Sequence, residues 1–151
     1  MKFKIIKNRK IESKEERYCI SERSFDCYPF VNADINIAIA YLNLGVDSED
    51  MYVKCFWGFS PRESWKEANL FVPTAVEGEL KLVEEFDAGF TWRIDKNKMW
   101  ESYFDEKSGW YCIGIPRTEE GDRAVKVIKN LIIVVDSTNS LKAVWVQPVF
   151  V

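Results

Sequence analysis

From Ile35 to Asn43 the side chains alternate with a period of two. Ile35, Ile37, Ile39 and Tyr41 fall on one face, and Asn36, Ala38, Ala40, Leu42 and Leu44 on the other. Only an extended strand sets successive side chains on opposite sides, so this segment is committed to a sheet. The two alanines leave room for another element to approach the second face closely. The same habit recurs along most of the 151 residues: short apolar or alternating runs, punctuated by Gly, Asp, Asn, Ser and Pro.

Read in order, Phe3, Ile5 and Ile11 begin a first strand, and residues 16–22 (ERYCISE) form the next. After Ile35–Asn43, the turn GVDSED leads to Met51, Val53, Cys55 and Trp57, which predicts a central hairpin. A short helix is predicted over 61–69. Ser60 suits the N-cap, Pro61 the first helical position, and Glu63 completes a capping box, with Trp65 and Ala68 on one side.

From Gly78 the chain reads as a four-strand meander. Its strands carry Leu80, Leu82 and Phe86; Phe90, Trp92 and Ile94; Met99 to Phe104; and Trp110 to Ile115. Turns fall at Asp87-Ala88-Gly89, at Asp95-Lys96-Asn97-Lys98 and before Gly109, and Pro116 stops the last strand. Residues 119–129 fit a helix capped by Thr118, with Ala124, Val127, Ile128 and Leu131 in register, or a strand in which Val125 and Val127 alternate with Lys126; the strand is favoured. Leu131–Val135 and Leu141–Val146 form a closing hairpin, apolar on both faces and therefore covered on both. The expected fold is mainly β with a minor α component: one domain over 1–151, an antiparallel sandwich or partly open barrel of about nine to eleven strands with one short helix.

Function is constrained by an absence. The chain has no histidine. Without imidazole, Ser-His-Asp and Cys-His catalysis and most zinc sites are excluded. GxGxxG, GxxxxGK[ST] and GxSxG are also missing, so no cofactor is expected. Asp47, Glu49 and Asp50 lie beside Ser48, but lack the glycine and terminal glutamate of a calcium loop, and read as a solvated turn. No metal is expected. The four cysteines, Cys19, Cys27, Cys55 and Cys112, have irregular spacing and read as reduced, mostly buried thiols; only Cys19 and Cys27 are placed to be tested for a bridge. The N-terminus lacks a signal-peptide core, and no apolar run approaches the ~18 residues of a membrane span, so a cytoplasmic protein without membrane contact is expected.

Net charge is −3, unevenly spread. Residues 1–17 carry seven basic and three acidic groups, whereas the rest carries 14 basic and 21 acidic. The basic residues alternate with apolar ones, as on the wet face of an edge strand, and an acidic body opposes nucleic acid. Acidic residues concentrate at Glu77, Glu79, Glu84, Glu85 and Asp87, against Lys81 alone. On a strand, Glu79, Lys81, Val83, Glu85 and Asp87 share one face opposite Leu80, Leu82 and Phe86, with Glu84 intruding on the apolar side. The bland reading is a solvated edge; the functional one is a patch of Glu77, Glu79, Glu85 and Asp87 that recognises a basic protein.

Aromatic residues make up 15% of the chain and include six tryptophans, many for this length, most of which are expected in the core. Trp92, Trp100 and Trp110, with Glu101, are candidates for a ligand cavity or sugar platform. Glu101 among aromatics is also the one candidate general acid, through a raised pKa, unless it pairs with Arg93 across a hairpin. No second acid is nominated, so a two-carboxylate hydrolase is the weakest reading. The leading expectation is a non-catalytic protein-binding domain. In size, charge and missing chemistry the chain resembles in general type the bacterial immunity proteins, which neutralise a toxin. That resemblance implies a basic partner met by electrostatic complementarity, and it carries no residues over. A small-ligand or carbohydrate-binding β domain is the alternative.

Overall fold

The alternating segments assemble into two sheets. A computed structural model describes residues 1–7, 13–94 and 100–151. Its strands begin with β1 (Phe3–Lys7), β2 (Glu15–Cys19), β3 (Ser24–Tyr28), β4 (Ile35–Ile39) and β5 (Leu42–Val46). They continue with β6 (Val53–Phe59), β7 (Lys66–Glu67), β8 (Val76–Leu82), β9 (Thr91–Arg93) and β10 (Ser102–Asp105). The last are β11 (Trp110–Gly114), β12 (Arg123–Ile128), β13 (Leu131–Val135), β14 (Leu141–Val146) and β15 (Val149–Phe150). The larger sheet runs β1-β8-β12-β13-β14-β11-β10-β7, the smaller β15-β2-β3-β6-β5-β4-β9. The two pack together as a β-sandwich. Most neighbours are antiparallel, but β7–β10, β8–β12, β2–β15 and β4–β9 are parallel, so both sheets are mixed.

The main core lies between the sheets and includes Ile35, Ile37, Ile39, Leu42, Leu44, Phe25, Phe56 and Tyr111. The predicted strand at Ile35–Asn43 is in fact a hairpin. The chain turns at Ala40 (φ +55°) and Tyr41, and β4 pairs directly with β5. This turn shifts the alternation by one, so Ile35, Ile37 and Ile39 and then Leu42, Leu44 and Val46 all face inward. Tyr41 is left exposed at the tip.

The helix expected at 61–69 is replaced by one 3₁₀ turn, Arg62–Ser64. Ser60 does not cap it; its hydroxyl accepts the Trp65 indole N–H at 2.9 Å. Trp65 is drawn in against Tyr18, Phe25, Phe104 and Tyr111, and the backbone is already extended there (ψ 130°). Burial of one aromatic ring outweighs the local capping signal.

Only part of the meander forms. β10 and β11 pair as a hairpin, but β8 sits between β1 and β12, and β9 joins β4 in the other sheet. The corner between them holds Phe86 stacked on Phe90, with centroids 4.2 Å apart. Ile11, the 95–98 turn and Met99 lie outside the described residues. Residues 123–128 are a strand, and β13–β14 is the closing hairpin, buried on both faces.

What covers the outer face of that hairpin is the extended segment between β7 and β8. Leu70, with Ala68 and Ala75 beside it, closes over Cys112, Ala124, Ile132, Val134, Ala143 and Trp145 to make a second core. The segment is tied down by Asp105, whose Oδ2 accepts the Leu70 N–H at 3.0 Å, and by Ala68 N–H donating to the Phe104 carbonyl. All four cysteines are free thiols. Cys19 pairs in register with Ser24 and Cys27 with Glu16, at opposite ends of the β2–β3 ladder, which rules out a bridge between them. Burial pushes the Cys27 and Cys55 thiols up to about 12.

Candidate functional site

The larger sheet's outer face is closed by the chain itself; the smaller sheet's is covered only in part. On β6, Phe56 points inward, so Trp57 and Phe59 project outward. Ladder pairing sets Ser24 opposite Phe59 and Asn43 opposite Trp57. Residues 29–34 then fold back over this face. Their approach is possible because position 45 is glycine: a Cβ there would lie 2.8 Å from Ala33 Cβ and 2.5 Å from Cys55 Sγ. Between the returning segment and the sheet lies a groove of about 430 Å³, lined by Asp26, Phe30, Asn32, Asn36, Trp57 and Phe59, among others. Phe30 is 82% exposed, Phe59 47% and Trp57 38%, although all three are large apolar rings. The Trp57 indole is fixed by donating to Asn36 Oδ1 at 3.2 Å.

Beside the groove, the Arg17 guanidinium lies 3.7 Å from the Tyr28 ring centroid, and its Nε donates to Glu15 at 2.9 Å. Asp26, opposite Arg17 in the ladder, uses Oδ1 to accept the Cys27 N–H and makes no ion pair among the described residues.

The returning segment ends at Asp34, which builds a second groove. Its carboxylate accepts both the Ser48 N–H (2.8 Å) and hydroxyl (2.6 Å), bonds that hold its pKa below the usual value. This fixes the Asp47–Asp50 turn to Asp34, whose carbonyl accepts the Gly89 N–H at 2.6 Å, while the Leu82 N–H at the end of β8 donates to the Met51 carbonyl at 2.8 Å. Glu49, Asp50, Glu85 and Asp87 thereby surround a groove of about 590 Å³, with Lys81 the one base on its lining. Asp50 pairs with Lys54 at 2.8 Å. The two grooves share no lining residue and are linked through the chain, Ala33 lining the aromatic groove and Asp34 holding Ser48 on the rim of the acidic one.

The acidic patch expected on one strand face is therefore divided. β8 ends at Leu82, so the alternation that would have aligned Glu79 with Glu85 and Asp87 stops. Glu77 and Glu79 stay on β8, opposite Lys126 of β12 and Ile6 of β1. Glu84 turns back to accept the Lys2 N–H at 3.2 Å, near the N-terminal ammonium. Glu85 and Asp87 go to the groove, and the loop acids Glu49 and Asp50, read as a plain turn, join them.

The tryptophan trio is divided as well. Trp92 and Trp100 line a cleft of about 360 Å³ at the sandwich edge, with Met1, Ile94, Asp136 and Leu141. Trp110 lies on the far side of the larger sheet, edge-on to Trp145. Glu101 pairs with Lys66 at 2.8 Å and accepts the Tyr103 hydroxyl at 2.8 Å. The Lys66 bond holds its carboxyl below the usual range, the reverse of the raised value a general acid needs. Arg93 instead donates to the Ala40 carbonyl. Among the described residues no three carboxylates or thiols converge as metal ligands, and no helix is long and apolar enough to cross a membrane.

Trp57 and Phe59 were not singled out as exposed because they sit in the apolar run VKCFWGF, and Asp26 and Phe30 because they lie in a segment assigned no strand. The available signal was Asn36 and Asn43: a face that is polar on two neighbouring strands is wet, and aromatics beside them are exposed. No protein-family model matches the chain, and no curated protein matches it.

Proposed function

We propose that this protein is a non-catalytic binding domain that holds a basic protein partner on the partly covered face of its smaller sheet. The observation that carries this reading is a set of exposed aromatic rings along one groove and four carboxylates around another, the two linked through Ala33–Asp34 and the Asp34–Ser48 bond. Aromatic side chains that desolvate on contact dominate interface energies, and flanking charge steers the encounter and rejects wrong partners. The absence of histidine and the engagement of Glu101 by Lys66 and Tyr103 support a role without chemistry. An acidic neutralising domain acting on a basic toxin in the cytoplasm is the biological setting that fits this surface.

Affinity capture from source-cell extract tests the reading. The parent protein is expected to retain a basic protein that Trp57→Ala and Phe30→Ala variants lose by ~30-fold or more, matching the ~2 kcal/mol or more of a hot-spot truncation. Capture that is indifferent to both substitutions sinks the proposal. A second reading, a carbohydrate platform, is favoured by the Asn36-fixed Trp57 ring with Asn32 alongside; a neutral disaccharide that quenches or shifts Trp57 fluorescence would select it.

A further inference from the structure

The aromatic groove combines three exposed rings with one carboxylate. Phe30, Trp57 and Phe59 supply π faces, which attract cations through the ring quadrupole. Asp26 supplies a full negative charge, and none of the chain's own cations pairs with it among the described residues. Arg17, its ladder neighbour, is held away by Glu15 and by stacking on Tyr28. That neighbouring arrangement is informative. On the same sheet face, a guanidinium is already gripped between an aromatic ring and a carboxylate, at 3.7 Å from the centroid and 2.9 Å from the oxygen. Asp26 with Trp57, Phe59 and Phe30 repeats the pairing of ring and carboxylate, one ladder position further across the sheet.

We infer that the aromatic groove receives an arginine side chain of the partner, its guanidinium laid on the rings and counter-charged by Asp26. The inference rests on the protein-binding reading and names the group such a partner brings to this site. A planar guanidinium suits the groove better than an ammonium. It stacks on aromatic faces, carries less hydration to remove, and still offers N–H donors to a carboxylate at its edge. The neutral groups on the lining, Asn32, Asn36 and Ser24, add acceptors without a competing positive charge.

The test uses the ¹⁵N-labelled full chain and two small probes, N-acetyl-arginine methylamide and its neutral isostere N-acetyl-citrulline methylamide. The arginine probe is expected to shift the Trp57 indole N–H and the Phe30–Ala33 amides, and to bind about tenfold more tightly than the citrulline probe. Asp26→Asn should erase that preference while leaving the rest of the spectrum unchanged. Phe30→Ala, at an exposed position that does not endanger folding, should weaken the arginine probe several-fold. Equal binding of the two probes overturns the inference, as do shifts confined to Glu49, Asp50, Glu85 and Asp87. In that second outcome the acidic groove still serves a basic partner, and the protein-binding reading is judged separately by the capture experiment. A neutral disaccharide that shifts Trp57 where the arginine probe does not overturns the inference in favour of sugar.

Discussion

Glu16 is fully buried beneath the smaller sheet, and its environment makes it a pH-dependent element of stability. β3 and β6 pair only at Ser24–Phe59 and Phe25–Gly58. Beyond them the Phe56 N–H is met by the Glu16 side chain, whose Oε1 accepts it at 2.9 Å. Asn130 binds the Glu16 backbone on both sides, accepting its N–H and donating to its carbonyl. The second carboxyl oxygen has no partner, and burial raises the pKa to about 8. A carboxyl raised in the folded state holds its proton there while the unfolded chain, near 4.5, releases it. Its stabilising share is complete below about 4.5 and is lost as pH rises through about 8. Glu16→Gln keeps the acceptor for Phe56 and cannot ionise. The variant is expected to match the parent at pH 4 and to exceed its stability by up to ~5 kcal/mol at pH 9. Urea unfolding across that range checks this; parallel curves would mean that Glu16 titrates as it does in the unfolded chain.

Among the elements, the segment Ala68–Ala75 is held by little backbone pairing and depends on Asp105. That carboxylate accepts the N–H groups of Leu70 and Lys107, and the Leu70 bond above all keeps its pKa below the usual range. Asp105→Asn weakens both bonds. Thermolysin is expected to cut the variant before Leu70 or Phe71 about tenfold faster than the parent, in keeping with the loss of a charge-assisted bond. Equal cleavage of the two would assign the anchoring to Leu70 packing alone. This segment also marks where sequence reading stops. Its consequence was legible, since β13 and β14 are apolar on both faces and had to be covered; its identity was not, because residues 61–69 carried a local helix signal. At Ala40–Tyr41 an unbroken alternation concealed a turn, since a phase shift of one residue leaves the apolar residues facing inward on both sides of it. Local pattern gives strand content and burial, while pairing partners are set by packing between segments distant in the chain.

Across the whole molecule the same limit shaped the reading of the site. Glu85 and Asp87 were legible as acidic surface, but their company was not, because Glu49 and Asp50 reach them through long-range contacts, among them the Asp34–Ser48 contact and the antiparallel bridge between Tyr52 and Lys81. In the proposed function the two grooves divide the labour of binding by range. Ring and guanidinium contacts act once surfaces touch and govern dissociation. Exposed carboxylates act before contact, over a Debye length of roughly 8 Å at physiological salt, and govern association. Changing Glu49, Glu85 and Asp87 to Lys moves the net charge from −3 to about +3. The triple variant is expected to bind the captured basic partner about tenfold more slowly or worse at low salt, with the difference shrinking as salt rises and thermal stability nearly unchanged. Glu77→Lys, on β8 and away from the groove, serves as the control and should alter the rate much less. Stopped-flow association across a salt series decides between them. If Glu77→Lys slows association as much per charge as the triple variant, the effect belongs to overall charge, and the groove at Glu49, Asp50, Glu85 and Asp87 has no special part in recognition.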